Sequence, residues 1–535
     1  MKVARSAGEV LSEHVTLEVE CADRLYLNLY VPILQQERGV AYFWRHHRGY
    51  DFASSALMAP MSREFVSKIE GFCEQEGIDL VRLKRGVRKE DLAKEYLAEF
   101  TGKEGVLFVG KAQEKAKVVR TQRRYNERTG APYAWLYAST AMVNQYYFYC
   151  VDRDFGPFFI KFCSYFPYNG KVCLNGHEFV KRQLEKRGIA YEPLDNGILS
   201  CADPKRLERI SKSLTAEKIN AFVRKWFRRL PHPFPPNDRK AGFLYEISIL
   251  QAEFSLTQVL DRPLSGRVLF EQIIRENLDL GRPDHVQLIF DRRIMRRTQA
   301  RFRTRVITEG VIPSLHVDFK SSKIKQYHKE GRALRTETVI NNTYDFAIGR
   351  KLHNLPELQE VGFSANRRLL GVQRISYDCS IGEDNFQRIA RPAVVGKQRA
   401  SGLRFGDHRV QALLMALVLF RLLPRGFTNR DLRQEVAPLL GLDQASMTQG
   451  KMTYDLRRLR LHGLIERVPK SNRYMVTDFG LRASAFLTRA YARLLRPGLA
   501  VIGPTDPPAS SGIRLALQQL DQAVDRLWRD QERAA

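Results

Sequence analysis

Two strand-like segments carry residues whose types and spacing could do chemistry. In SLHVDF, apolar residues alternate with His316 and Asp318, and in ALRTETVIN, Arg335 and Glu337 share one face. Because side chains alternate between the faces of a β-strand, two neighbouring strands would bring these four residues onto one polar surface. A histidine with two carboxylates can hold a divalent metal that activates a phosphodiester, and Mg²⁺ is the metal we expect there.

Tyr327 is the candidate nucleophile beside that surface. In KIKQYHKEG it lies between Lys325 and Lys329, whose charges would stabilise a phenolate that attacks DNA. The alternative is a solvated edge hairpin in which Arg335 and Glu337 form only a surface ion pair. The sequence therefore leaves metal-dependent DNA nicking or strand transfer open.

A second carboxylate pair offers another metal site. Asp152 and Asp154 follow the apolar run YYFYCV. An Asp-x-Asp motif at the end of a strand is typical of the Mg²⁺ sites of two-metal nucleases and polymerases. The alternative is a turn in which these carboxylates accept hydrogen bonds from backbone amides.

Charge indicates the kind of partner. The 535 residues include 87 Lys and Arg against 59 Asp and Glu, a net charge of +28. A polyanion is the expected partner of such a chain, with nucleic acid first and an anionic membrane surface second. The most basic region spans 291–335. Its predicted nucleic-acid contacts are Arg292, Arg293, Arg296, Arg297, Lys323, Lys325 and Lys329.

Composition divides the chain at three places. A basic, polar stretch at 111–132 is predicted to be an exposed connection, the proline-rich 230–240 is predicted to break helix and strand, and 380–402 is polar and poorly periodic. The resulting segments are an N-terminal α/β segment (1–110), an aromatic-rich α/β region (132–230), a basic α+β region (241–380), a helical-plus-hairpin module (405–495) and a C-terminal helix (512–533).

The C-terminal module has the clearest local pattern. An apolar helix is predicted over 408–423, and a second helix, capped by Thr428, over 429–440. A basic helix follows over 444–462. LIERV and RYMVT then form a hairpin across a Pro-Lys-Ser-Asn turn, and a last helix begins near Phe479.

This order resembles the winged helix-turn-helix of bacterial DNA-binding regulators, and TYDLRRLRLHGLIERVPKSNRYMVTDFGLR resembles their recognition helix and wing. The resemblance implies binding of duplex DNA, with arginines of the helix in the major groove and cations of the wing on phosphates. Winged helices also serve as protein-docking modules. The residues expected to contact DNA are Lys451, Arg457, Arg458, Arg460, Arg467, Lys470 and Arg473.

A shorter resemblance covers residues 323–342. KIKQYHKEGRALRTETVINN resembles a segment of phage and plasmid rolling-circle replication proteins, and of large bacterial families that carry a C-terminal winged helix. Where the nickases among them have a paired-histidine metal motif, HVDF has one histidine. The resemblance implies a replication-initiator-like or mobile-element-associated protein.

Other features bear on compartment and assembly. The seven cysteines are scattered and form no C-x-x-C motif, no secretory signal is visible, and no apolar run reaches the ~18 residues that span a membrane. These observations predict a cytoplasmic protein. Residues 513–527 place apolar side chains at coiled-coil spacing, which favours docking onto the body or a homodimer contact.

The predicted fold class is α+β: a basic mixed α/β body with antiparallel sheets, followed by a winged helix-turn-helix and a short C-terminal helix. The predicted function is DNA binding, in which the winged helix holds a duplex and the basic body holds a second segment, duplex or single-stranded. The alternatives are a winged-helix transcriptional regulator without catalysis and an RNA-binding protein.

Overall fold

One large mixed sheet organises the body of the protein. The computed structural model describes residues 13–83, 89–263, 303–309, 312–375, 382–421 and 423–495, with a few isolated positions besides. Within these ranges, 11 strands pair in the order β10-β11-β12-β13-β9-β1-β6-β5-β4-β3-β2. Neighbours are antiparallel except β2 and β3, which are parallel. The mixed α/β body that the sequence predicts is therefore present.

The strands of this sheet lie between Val15 and Ile340. They are β1 (Val15–Tyr30), β2 (Leu80–Arg82), β3 (Gly105–Tyr125), β4 (Pro132–Asp152), β5 (Gly156–Cys163), β6 (Gly170–Asn175), β9 (Glu246–Leu260), β10 (Arg303–Glu309), β11 (Ile312–Phe319), β12 (Ser322–Lys329) and β13 (Ala333–Ile340). A separate hairpin consists of β7 (Tyr191–Leu194) and β8 (Gly197–Cys201).

The prediction of an exposed connection at 111–132 is wrong. These residues form the end of β3, a turn and the start of β4, paired residue by residue from Gly105 with Val151 to Tyr125 with Pro132. β2 reaches β3 only as far as Lys111, and β5 reaches β4 only from Gln145 onward. Residues 112–144, here called the arm, are thus a two-stranded ribbon. The segments 1–110, 132–230 and 241–380 all contribute strands to the one sheet.

Helices cover the sheet and bury its aromatic centre. They are α1 (Glu37–Tyr42), α2 (Ser55–Glu76), α3 (Lys89–Glu99), α4 (Gly176–Lys186), α5 (Pro204–Ser211), α6 (Ala216–Phe227), α7 (Pro236–Lys240) and α8 (Leu355–Ile375). Tyr146, Phe148 and Phe162 in the aromatic-rich strands are fully buried, as that density of rings predicts. The proline-rich 230–240 was expected to exclude helix. It holds the short α7, because Pro236 occupies a first-turn position that requires no amide hydrogen.

The C-terminal module, residues 408–490, follows α9 (Gly382–Ala390) and the small hairpin of β14 (Ala393–Val395) and β15 (Gln398–Ala400). It contains α10 (His408–Phe420), α11 (Asn429–Leu439), α12 (Gln449–Leu461) and α13 (Asp478–Ala490), with a three-stranded sheet of β16 (Phe427–Thr428), β17 (Ile465–Arg467) and β18 (Arg473–Val476). Its apolar core is continuous with residues of the body, among them Val317, Ile324 and Leu369.

Threonine caps fix where α11 and α12 begin. Thr428 caps α11 in a capping box with Asp431, as the sequence predicts for this residue. The helix predicted over 444–462 is interrupted: a 3-10 turn at Gln444–Ser446 precedes Met447, whose extended backbone separates it from α12. Thr448 then caps α12, so this helix begins five residues later than predicted.

Some predicted features lie outside the described residues. These are the helix at 512–533 and the four arginines Arg292, Arg293, Arg296 and Arg297. In the part of the chain that the structure describes, no helix combines the length and the apolar composition needed to cross a membrane.

Candidate nucleic-acid interface

Helix α12 presents two different faces. Met452, Leu456 and Leu459 are buried in the core of the C-terminal module. The other face exposes polar and basic side chains only: Gln449, Lys451, Thr453, Tyr454 and Arg457. The one acidic residue of the helix, Asp455, is buried, and its carboxylate accepts two hydrogen bonds from Arg409 at 2.6 and 3.0 Å. The exposed face of α12 therefore has positive charge and no carboxylate of its own.

Two of the predicted DNA contacts are instead bound to the protein's own backbone. Arg458 is buried, and its guanidinium donates to the Gly402 carbonyl at 2.9 Å. Arg473 donates to the carbonyls of Arg425 and Gly426, both at 2.8 Å. The prediction that these two side chains face DNA does not fit this placement. Residue spacing along a helix or strand does not by itself show which arginine side chain turns towards the protein.

The other predicted DNA contacts of the module differ in exposure. Lys451 and Arg457 on α12 are exposed, as are Arg467 and Lys470 in the β17–β18 hairpin. Lys470 sits at the turn with φ of 54°. Arg460 is half-buried and donates to the Gln398 side chain at 2.8 Å. Arg467 is exposed but donates to the Ser471 carbonyl at 3.0 Å, within its own hairpin.

The lysines of β12 lie in a different environment. Lys323, Lys325 and Lys329 are half-buried on the sheet. Lys325 is in register with Glu337 on β13, and Lys323 is two strands from Glu253 on β9 in the same cross-strand row. These side chains therefore share their sheet face with carboxylates. In the described part of the basic region 291–335, the positive charges of the β12 lysines therefore have carboxylates of β13 and β9 as neighbours on the same face.

A buried polar centre occupies the middle of this face. Arg335 has no exposed surface. Its guanidinium donates to Asp23 at 2.6 Å, to Glu337 at 2.7 Å, to the Asn196 carbonyl at 2.6 Å and to Nε2 of His177 at 2.9 Å. The four partners come from β1, β13, the β7–β8 turn and α4. Arg335 thus joins elements that are far apart in sequence.

Tyr327 belongs to the polar centre as a hydrogen-bond donor. Its hydroxyl donates to Glu337 at 2.8 Å. Burial and the adjacent Glu337 carboxylate both raise the pKa of Tyr327 well above its usual range. The environment expected from Lys325 and Lys329 was one that favours a phenolate, whereas the actual environment keeps the hydroxyl protonated.

His316 and Asp318 do not reach Glu337. All of these side chains lie on one face of the sheet, as alternation predicts. However, His316 on β11 is in register with Lys325, which in turn is in register with Glu337, so two strand spacings of about 10 Å in all separate them. Of the predicted quartet, Arg335 and Glu337 form an ion pair, whereas His316 and Asp318 lie two strands away on β11, where His316 contacts the Ser314 hydroxyl at 2.9 Å. Among the described residues, no cluster of three His, Cys, Asp or Glu side chains is placed to hold a metal.

The electrostatics of the polar centre act in opposite directions on its two carboxylates: burial and the adjacent Asp23 raise the pKa of Glu337 above its usual range, whereas the pKa of Asp23 is lowered. Although burial opposes ionisation, the neighbouring Arg335 guanidinium holds the pKa of Asp23 well below its usual range. Burial and the adjacent Arg335 lower the pKa of His177 to about 3, so the ring is neutral. Sequence reasoning missed both residues as partners of Arg335. Asp23 is 312 positions away, and neither residue has a local motif that signals the contact.

Asp152 and Asp154 form the turn that was the alternative to a metal site. One oxygen of Asp152 accepts the amides of Asp154 and Phe155 at 2.8 and 3.0 Å. The other accepts Lys225 at 2.8 Å and the Trp226 indole at 2.7 Å. The Asp154 side chain points elsewhere, to Lys186 at 3.0 Å. The buried carboxylate is therefore fully engaged by the protein.

Comparison with known proteins gives no family to this chain: no protein-family model, no curated protein and no solved structure matches it.

Proposed function

We propose that the protein binds duplex DNA through its C-terminal module, acting as a winged helix-turn-helix in which α12 enters the major groove and the β17–β18 hairpin is the wing. The observation that carries the proposal is the exposed face of α12, where polar and basic side chains stand with the only acidic residue of the helix buried beneath them. Such a face attracts phosphates and can donate hydrogen bonds to base edges.

The helix order supports this assignment. α11 and α12 are each capped at their N-terminus by a threonine and are joined by residues 440–448, which include the 3-10 turn Gln444–Ser446, and an antiparallel hairpin with an exposed Lys470 follows. In a winged helix-turn-helix the second helix of such a pair contacts bases, while the hairpin contacts the backbone. Gln449, Thr453 and Arg457 are then the base-reading candidates, and Lys451 and Lys470 contact phosphate.

The proposed place of this activity is replication initiation or the mobility of a genetic element, where one protein holds a duplex site and a nearby second segment. A transcriptional regulator without catalysis is the second candidate. It is favoured by one observation: Tyr327 and Glu337, the residues with a proposed catalytic role, are engaged with each other and with Arg335 in the buried polar centre.

The test is selection from a randomised duplex library, followed by affinity measurement on the selected sequence. We expect the double variant Lys451→Ala/Arg457→Ala to lose roughly 10- to 100-fold in affinity, because each side chain contributes a phosphate or base contact. The matched control is Lys205→Ala/Arg206→Ala, which removes the same charge from exposed positions of α5. Equal losses in both variants, or none in either, would contradict the proposal.

A further inference from the structure

The arm, residues 112–144, carries a second exposed surface of aromatic and basic side chains, separate from the C-terminal module. In its strands, residues 112–125 of β3 and 132–144 of β4 pair with each other and, in the part of the chain that the structure describes, with no third strand. At 14 residues on the β3 side, the ribbon extends for about 45 Å. A two-stranded ribbon of this length is marginally stable in water unless one of its faces is supported.

One face of the arm has that support. Val119 and Leu136 are buried in the main core, and the Thr121 hydroxyl accepts the Ser55 amide at the start of α2 at 2.7 Å. The Ala138 amide, in the same cross-strand row as Val119, donates to Glu37 of α1 at 3.1 Å. This face anchors the ribbon on α1 and α2. On the opposite face Val118 is still buried, whereas the residues beyond it, from Arg120 to Arg124 and from Tyr133 to Tyr137, are exposed.

This opposite face carries a row of aromatic rings. Tyr133, Trp135 and Tyr137 alternate along β4, so they project from one face about 6.7 Å apart. They are 42, 43 and 37% exposed. Three neighbouring exposed rings form an apolar patch, and such patches usually mark a binding site. Each ring offers a flat apolar surface that would release water when a flat apolar group stacks on it.

Cations face these rings across the ribbon. Tyr133 is in register with Arg124, Trp135 with Gln122 and Tyr137 with Arg120. The guanidinium of Arg124 lies 4.4 Å from the centre of the Trp135 ring, which orients the indole. The aromatic row and its cationic row together are here called the arm face.

The arm has few acidic residues. Between residues 112 and 144, all of which are described, six Lys and Arg stand against two acids, Glu114 and Glu127. Glu114 is engaged by Lys161 at 2.6 Å and Lys89 at 3.1 Å, and Glu127 lies in the turn beyond the rings. Within the arm itself, a polyanion therefore meets no uncompensated carboxylate beside the rings, and the Glu37 carboxylate of α1 is held by the Ala138 amide on the anchored side.

We infer that the arm face binds a single-stranded polynucleotide, with bases stacked on Tyr133, Trp135 and Tyr137 and phosphates paired with Arg120 and Arg124. A row of rings beside a row that carries two cations fits an extended polynucleotide, which has a flat base and a negatively charged phosphate in every unit. A second copy of the chain fits less well, since it would place arginine against arginine. The inference does not depend on the function proposed for the C-terminal module.

The test uses the full chain with fluorescently labelled single-stranded DNA and RNA of about 15 nucleotides, and a duplex of the same length. We expect Trp135→Ala to weaken single-strand binding by about tenfold, since base stacking is lost, and Trp135→Phe to keep most of it. Tyr344→Ala, which removes an exposed ring from outside the arm, is the matched control and should bind as the wild type does.

The outcomes separate this inference from the function proposed above. Lys451→Ala/Arg457→Ala should lose duplex binding and keep single-strand binding, whereas Trp135→Ala should do the reverse. Loss of DNA or RNA binding in Trp135→Ala supports the inference and identifies the strand. The inference is overturned if the wild type binds neither single strand, if Trp135→Ala binds both normally, or if Trp135→Ala weakens only duplex binding.

Discussion

Arginine and aromatic side chains come together in two regions of this protein, the polar centre and the arm face. In the first the arginine is neutralised by carboxylates, and in the second it is not. In the polar centre, the buried Arg335 is bound by the carboxylates of Asp23 and Glu337, and the half-buried Tyr327 donates to Glu337. On the arm face, Arg124 stacks on the exposed ring of Trp135 with no carboxylate beside it. The difference lies in where the acids are. The density of basic residues along the chain therefore does not locate the polyanion site, whereas the position of the nearest carboxylates does.

The largest effect is expected from breaking the polar centre. Arg335→Leu leaves Asp23 and Glu337 buried without their cation, so the free energy of unfolding should fall by about 3–5 kcal/mol. Urea denaturation measures it. Arg332→Leu, at an exposed position in the preceding turn, is the control and should change stability by no more than about 0.5 kcal/mol. Similar small effects in both variants would remove the basis for treating Arg335 as a structural residue.

Neighbouring arginines on α12 allow the same comparison within one helix. Arg458→Met removes the hydrogen bond to the Gly402 carbonyl, and we expect a loss of about 2 kcal/mol in stability. Arg457→Met should leave stability unchanged and weaken duplex binding. Thermal denaturation and DNA titration on both variants check this. The reverse pattern, with Arg457 stabilising and Arg458 binding, would mean that the exposed and buried sides of α12 are wrongly assigned.

Tyr327→Phe distinguishes a structural hydroxyl from a nucleophile. It removes the hydrogen bond to Glu337, which should cost about 1.5 kcal/mol because the acceptor is a carboxylate. Any Mg²⁺-dependent nicking activity of the wild type should persist in this variant and in Asp318→Ala. Loss of nicking in a folded Tyr327→Phe protein would restore the catalytic role that the sequence suggests.

The polar centre also predicts how stability depends on pH. Burial lowers the pKa of His177 to about 3 from 6.5, so at intermediate pH the unfolded chain binds one more proton than the folded chain does. His177 therefore contributes a loss of stability as the pH falls, by up to about 1.4 kcal/mol per pH unit between about pH 6 and pH 4. His177→Gln should flatten this dependence in urea titrations. An unchanged slope would show that His177 is not the titrating group.

Local patterns account for what the sequence could predict. Thr428 at the start of α11, Gly441 with its positive φ of 68° just beyond the end of α11, and the Pro-Lys-Ser-Asn turn act on their immediate neighbours, so the order of helices and hairpin in residues 408–490 followed from them. The burial of the aromatic strands also followed, because ring density needs no knowledge of partners. The pairing of Arg335 with Asp23 did not, since it depends on β1 and β13 meeting on either side of β9.

The arm shows why a polar stretch was misinterpreted. A ribbon that is supported on one face carries few apolar residues, so 111–132 lacked the apolar periodicity expected of a strand. Its Thr-Gly-Ala-Pro end is the hairpin turn: the Asn126 side chain accepts the Arg128 amide at 2.9 Å, and Gly130 takes a positive φ of 64°. The alternating rings of Tyr133, Trp135 and Tyr137 were the signal that would have identified the strand.

The salt dependence of duplex binding tests the account most directly. The logarithm of the association constant should fall linearly with the logarithm of the salt concentration, and Lys451→Ala/Arg457→Ala should reduce the slope by about 0.9, because Lys451 contacts phosphate while Arg457 contacts bases. Lys205→Ala/Arg206→Ala should leave the slope unchanged. A slope for Lys451→Ala/Arg457→Ala that equals the wild-type slope would contradict the claim that the exposed face of α12 binds DNA.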